Sequence, residues 1–381
     1  MMAANWTAVR RRLAVRRTAY RPPRGGRQVG HGSIVTPLAA TLVASVAVGV
    51  GVALAQAERS RRSAKRRLRR ERRFASLPGE PLSEGLRRMA LGQLDLAIEL
   101  LGGESAGGRG DGWPLDKEAI HETRKALKRL RALVRLLREE LGEPQFRREH
   151  AILRDAARRL AGARDAEVMV DTLDALLRRH PRKLGHRRPL IELRKLLVAE
   201  RAVAARQTLG DQTTREEVLR ELSGLRERAQ RWELPKRPGI AIVENDLRRV
   251  YRQGRARMRL LARGNGGAHA SHEWRKRVKD LRYAAEILHL RSLAHRADEL
   301  GEVLGEEHDL VVLAGLLPPP GGAPFKGKRG KRARRALLKR IERRRRQLRK
   351  RALRKGESLY GRRPKKFLRR VRSAHRRTSR F

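Results

Sequence analysis

The chain of 381 residues carries 94 Lys and Arg against 41 Asp and Glu, a formal net charge of +53 at pH 7. Self-repulsion on that scale opposes compaction unless anions neutralise it, so the expected partners are polyanions: a phosphate polymer, nucleic acid or an anionic membrane surface. Aromatic residues make up only 3%, which argues against a reader of single-stranded nucleic acid that stacks bases on rings, and the lack of Cys excludes disulfides and thiolate metal sites.

Residues 1–36 form a basic arm rich in turn-formers, with Arg-Pro-Pro-Arg-Gly-Gly at 21–26, a composition that predicts disorder. Residues 37–57 then run without a charge over about the length a helix needs to cross a bilayer, and the preferred reading is a single transmembrane helix. Two alternatives stand beside it. Ala55-Gln56-Ala57 resembles a signal-peptide cleavage site, and a weak Ala/Val/Gly segment could stay out of the bilayer. The dense positive charge of residues 58–67 resists translocation, which weighs against a signal peptide and places the following domain on the cytoplasmic side. Residues 58–79 read as a basic juxtamembrane linker able to rest on anionic lipid headgroups.

An amphipathic helix is expected over 82–101, then a Gly-rich loop, with Asp116 as the N-cap of the next helix. That helix opens His121-Glu122-Thr123-Arg124-Lys125 and continues through Lys128, Leu130 and Arg131; the same pattern, H-E-x-R-K-x-x-K-x-L-R, returns as His272-Glu273-Trp274-Arg275-Lys276 through Lys279, Leu281 and Arg282. On a helix, His121, Arg124, Lys125, Lys128 and Arg131 share one stripe, as do His272, Arg275, Lys276, Lys279 and Arg282. Like charges at i, i+4 each cost an isolated helix about 0.2–0.5 kcal/mol, so a sequence that stacks them twice is built to meet a polyanion. Beside each stripe runs an apolar seam: Thr123, Leu127, Leu130, Val134 and Leu137 in the first copy, Trp274, Val278, Leu281, Ala285 and Leu288 in the second. Glu122 and Glu273 lie off the stripes and are placed to pair with Lys125 and Lys276 at i+3.

Gly142-Glu143-Pro144 breaks the first His-Glu helix; further helices are expected over about 145–161, 166–180, 187–207 and 214–231. After Pro235–Gly239, helices follow at about 240–262, 269–290, 293–304 and 309–317, then a break at Pro318–Gly322, a long basic helix over 330–355 within a segment reaching 368, and a basic tail from 371 to 381. A second paired motif, Leu160-Ala161-Gly162-Ala163-Arg164-Asp165 against Leu304-Gly305-Glu306-Glu307-His308-Asp309, follows each His-Glu helix. Asp165 and Asp309 suit helix N-caps or orienters of a basic partner, and Arg164 and His308 just before them are candidates to face the same site. No run alternates as a strand does, so the class is all-α.

At these residues the chain resembles the CHAD domain, the conserved-histidine α-helical domain, from about 81 to 370. The resemblance implies two similar helical-bundle halves, here about 80–210 and 211–370, around a basic cavity that binds inorganic polyphosphate. It places His121, Arg124, Lys125, Lys128, Arg131, His272, Arg275, Lys276, Lys279, Arg282, Arg164 and His308 as candidate ligands of the anion. The sequence holds no Walker loop, GxGxxG, HExxH or cluster of carboxylates able to hold magnesium, so a non-enzymatic binder with no cofactor and no metal is expected. Anionic membrane lipids are a further expected partner. Non-specific nucleic-acid binding is the alternative, and an unrecognised enzyme of phosphate metabolism the third reading.

Overall fold

The structure, a computed structural model, describes residues 74, 76–77, 79–102, 117–185, 187–209 and 212–378. Residues 1–73, with the expected arm and membrane segment, lie outside these, as does Asp116. Among the described residues there is no strand, and no helix is long and apolar enough to cross a membrane. The described residues form twelve α-helices in order: α1 Leu82–Gly102, α2 Lys117–Leu136, α3 Arg138–Leu141, α4 Glu143–Arg159, α5 Gly162–Arg179, α6 Arg188–Leu209, α7 Gln212–Gln230, α8 Glu244–Ala262, α9 Gly267–Ile287, α10 Arg291–Leu316, α11 Gly327–Tyr360 and α12 Pro364–Thr378.

Two four-helix rings account for most of the packing. In the first, α1 packs on α2, α2 on α4, α4 on α7, and α7 returns to α1; in the second, α8, α9, α10 and α11 close in the same way. The apolar seams drive both. Thr123, Leu127, Leu130, Val134 and Leu137 are buried, and so are Trp274, Val278, Leu281, Ala285 and Leu288. The α5–α6 hairpin leaves the first ring and packs on α10 and α11, and the two His-Glu helices, α2 and α9, lie against each other. Because α7 closes the first ring, the boundary between halves falls in the turn after Gln230 rather than at 210/211.

Buried carboxylates fasten the junctions. Glu149 of α4 accepts two hydrogen bonds from Arg228 of α7, both 2.9 Å. Asp246 of α8 accepts from the backbone N–H of Glu139 in α3 at 3.0 Å. Glu307 of α10 accepts from Ser271 of α9 (2.9 Å) and from Arg345 and Arg349 of α11 (3.1 and 3.2 Å). Breaking such a buried pair from one side costs about 3–5 kcal/mol.

Several expected boundaries shift for identifiable reasons. The separate helices at 293–304 and 309–317 are one continuous α10, since Glu306 and Glu307 are good helix formers tied to α11, whereas the matching stretch of the first copy has Gly162 and breaks between α4 and α5. Gly142, at φ 72, makes the expected break before α4. Phe74 is buried against Tyr283, so the domain begins inside the stretch assigned to the linker. The tail expected from 371 is the second half of α12, with Val371 and His375 buried. Helix α11, 34 residues long, joins the second ring through Leu337, Ile341, Leu348 and Tyr360. Gly254 and Gly356 allow that approach: a Cβ would stand 2.5 Å from the Tyr360 ring and 2.6 Å from the Trp274 ring respectively.

Candidate polyanion site

The two basic helices meet in a reciprocal arrangement. Arg129 and Asp280 occupy equivalent places in the two copies, as do Arg135 and Glu286. Across the contact, Arg135 pairs with Asp280 at 2.5 Å and Arg129 with Glu286 at 3.9 Å. Each position on one helix thus meets its opposite number on the other, which defines an antiparallel crossing about a pseudo-twofold axis. Tyr283 lies between the two carboxylates on α9, and Phe74 caps the spot, its ring edge-on to Tyr283 and under the Arg129 guanidinium at 4.9 Å.

That crossing brings Lys128 of α2 close enough to Lys279 of α9 for their charges to act on one another. Lys279 is held down to about 7, by burial above all and then by Arg275 and Lys128; Asp309 offsets only part of this. Arg275, one turn earlier, is also lowered by burial, against the pull of Asp309 and Asp165, and its Nε is buried without a hydrogen-bond partner. Arg124 reaches the α4–α5 corner, donating to the Ala161 carbonyl at 3.0 Å and to Asp165 at 3.2 Å. Asp165 therefore orients a basic partner and caps nothing; Asp309 lies in the middle of α10 and is no cap either.

His272 and His308 face each other, ring centroids 4.3 Å apart. Burial first, then the surrounding cations, pushes His272 to about 4 and His308 to about 3, so both are neutral at pH 7. Neither ring nitrogen of His272 has a hydrogen-bond partner. An anion beside His272 would favour its charged form and raise it from about 4.

Not every stripe residue joins this group. His121 is exposed, and Lys125 and Lys276 pair with Glu122 and Glu273 at 3.9 and 2.6 Å as the i+3 spacing predicts. Arg282 is committed to Glu286 at 2.8 Å and to Asp298. Arg131 sits near Arg135, Asp280, Arg154 and Arg277, where burial and then Arg135 bring it to about 10. The backbone of Arg164 is in the first turn of α5; its side chain lies outside what is described. The motif comparison passed over Asp280 and Glu286, the two carboxylates that hold the crossing. The signal available was the inversion of charge at equivalent positions.

The fold and the site define an all-helical protein whose internal duplication places two basic helices face to face. The chain belongs to the CHAD domain family, whose model matches residues 104–318, and that family is associated with polyphosphate binding. No curated protein matches the chain. The match covers α2 to α10, while α1 and α11, which complete the two rings, lie beyond it.

The half-buried neutral histidines fix a pH dependence. His150, flanked by Arg135 and held by burial to about 3, joins His272 and His308. Each takes up its proton in the unfolded chain near 6.5 but resists it when folded, so their contribution to stability is full above pH 6.5 and is lost as pH falls toward 4 and 3. Urea unfolding in phosphate-free buffers should show the midpoint falling over that window, and His272→Leu/His308→Leu should flatten the fall. Parallel pH curves for the two proteins would refute the assignment.

Proposed function

We propose that this protein binds inorganic polyphosphate without reacting with it, through the cations that α2 and α9 hold in a cavity shared by both halves. The observation that carries the reading is Lys279 beside Arg275: two half-buried cations whose charge the surrounding carboxylates offset only in part. Partial burial among like charges disfavours the charged form of Lys279, and a phosphate chain beside it restores that form. Polyphosphate presents a repeating anion with nothing but charge and shape to read, which rigid helices bearing guanidinium and ammonium groups suit. The family's association with polyphosphate and the lack of a phosphoryl-transfer motif in the sequence support the same reading.

Replacing Lys279 by Met should weaken binding of long-chain polyphosphate at least tenfold, about 1.4 kcal/mol, while the ligand-free protein unfolds at an equal or higher urea concentration. Loss of affinity together with loss of stability would mean that Lys279 is structural. Equal affinity for DNA at matched phosphate and near-physiological salt would favour general polyanion binding instead.

We further propose that residues 37–57 anchor the chain in a membrane with the helical domain on the cytoplasmic side, where the basic linker meets anionic lipid. The support is the uncharged, bilayer-matched length of that segment and the dense positive charge after it. The full-length protein should stay with membranes through high-salt and alkaline washes. Recovery in the soluble fraction would remove the anchor.

A further inference from the structure

A second group of cations lies apart from the crossing. The last residues of α5 and the π-helical turn Pro181–Gly185 meet the middle of α11 in a cleft of about 330 Å³. Arg179, His180 and Lys183 form one wall, and Arg340, Arg343 and Arg344 the other. Arg344 is held by Glu306 in a two-pronged pair at 2.6 and 2.7 Å, which fixes that wall. Among the described residues, Arg179, Lys183, Arg340 and Arg343 have no carboxylate partner. Both walls act on His180, which burial and then Arg340, Arg179 and Arg343 hold below the usual imidazole range. On the α5 side the cleft is some 14 residues along the helix from Asp165, on the order of 20 Å, while on the α11 side Arg344 pairs with Glu306, two residues before His308.

A structural reason for this concentration of charge is absent. Like charges brought together in a narrow space are destabilising, and they sit where the α5–α6 hairpin of the first half docks on the second. Guanidinium groups from two rigid elements form donor forks that match phosphate oxygens. Apart from the His180 imidazole, the lining holds no aromatic side chain for a base and no apolar one for an acyl chain. We propose that this cleft is a second phosphate-chain site, formed by Arg179 and Lys183 on one wall and Arg340 and Arg343 on the other, that takes a short run of phosphate groups. The identity of the ligand rests on the function proposed above; the location of the site does not. A long chain engaging both sites gains from effective concentration, because the second contact forms without a new loss of translational freedom.

The test is calorimetric titration of the full-length protein with tripolyphosphate, too short to serve both sites at once. The native protein should show two classes of site. Arg340→Gln/Arg343→Gln should lose one, by at least tenfold in affinity, and keep the other within twofold. Arg179→Gln/Lys183→Gln, on the opposite wall and exposed, should reproduce that loss, which guards against a folding defect in α11. Lys279→Met/Arg275→Gln should lose the complementary class. If both cleft variants titrate as the native protein does, the cleft is not a site. If only the Lys279/Arg275 variant titrates as native, the cleft stands and the function assigned to the crossing falls. An oligonucleotide of equal phosphate count occupying the cleft with equal affinity would overturn the assignment to a phosphate chain.

Discussion

Everything in this molecule depends on how α2 crosses α9. Two basic helices do not associate unless something offsets their repulsion, and here the offset is local and reciprocal: Arg135 with Asp280, Arg129 with Glu286. One copy of the repeat supplies both guanidinium groups and the other both carboxylates, at positions the duplication makes equivalent. The pairs are partly buried, where charge interactions are stronger than in water and the loss of one partner is severe. The neutralisation stops at the crossing. One turn away, Lys279 and Arg275 lie together, half-buried and with the exposed Lys128 close by, with less compensation than their burial requires.

The same economy runs through the chain. Carboxylates are outnumbered more than two to one, and several of them are inside: Glu149, Asp246, Asp280 and Glu307 are all buried at junctions between helices. Acid placed there ties elements together and leaves the outward faces of α11 and α12 positive. A fold stabilised in this way tolerates a very large net charge because the repulsion is spread over solvent, where salt screens it, while attraction acts in the interior, where salt does not. Lys279 and Arg275 are the exception: they are half-buried and incompletely offset by carboxylates, a local sacrifice of stability of the kind binding sites carry.

Much of this was legible in the sequence because it is periodic. The seams through Leu127 and Leu130, and through Val278 and Leu281, are buried as their four-three spacing requires, and the i+3 pairs Glu122–Lys125 and Glu273–Lys276 form. What depended on the meeting of distant segments was hidden. Asp309 sits where an N-cap would start a helix, yet Glu306 and Glu307 find partners in α11 and carry the helix through. Stripe membership gave Arg282 and Lys279 the same standing, but Asp298 takes up the one and burial isolates the other. The environment of His272 was hidden for a similar reason: an imidazole near 6.5 in water is held to about 4 by burial and the cations around it, with His308 against its ring.

The central claim, that Lys279 is partly discharged in the ligand-free protein and recharged by its ligand, has a direct signature. Calorimetry of polyphosphate binding at pH 7.5, repeated in buffers of different ionisation enthalpy, counts the protons that accompany binding. The account predicts net proton uptake by the native protein beyond that seen with Lys279→Met, because a lysine near 7 regains its proton when phosphate lies beside it. Equal proton counts for the two proteins, or release in place of uptake, would contradict it.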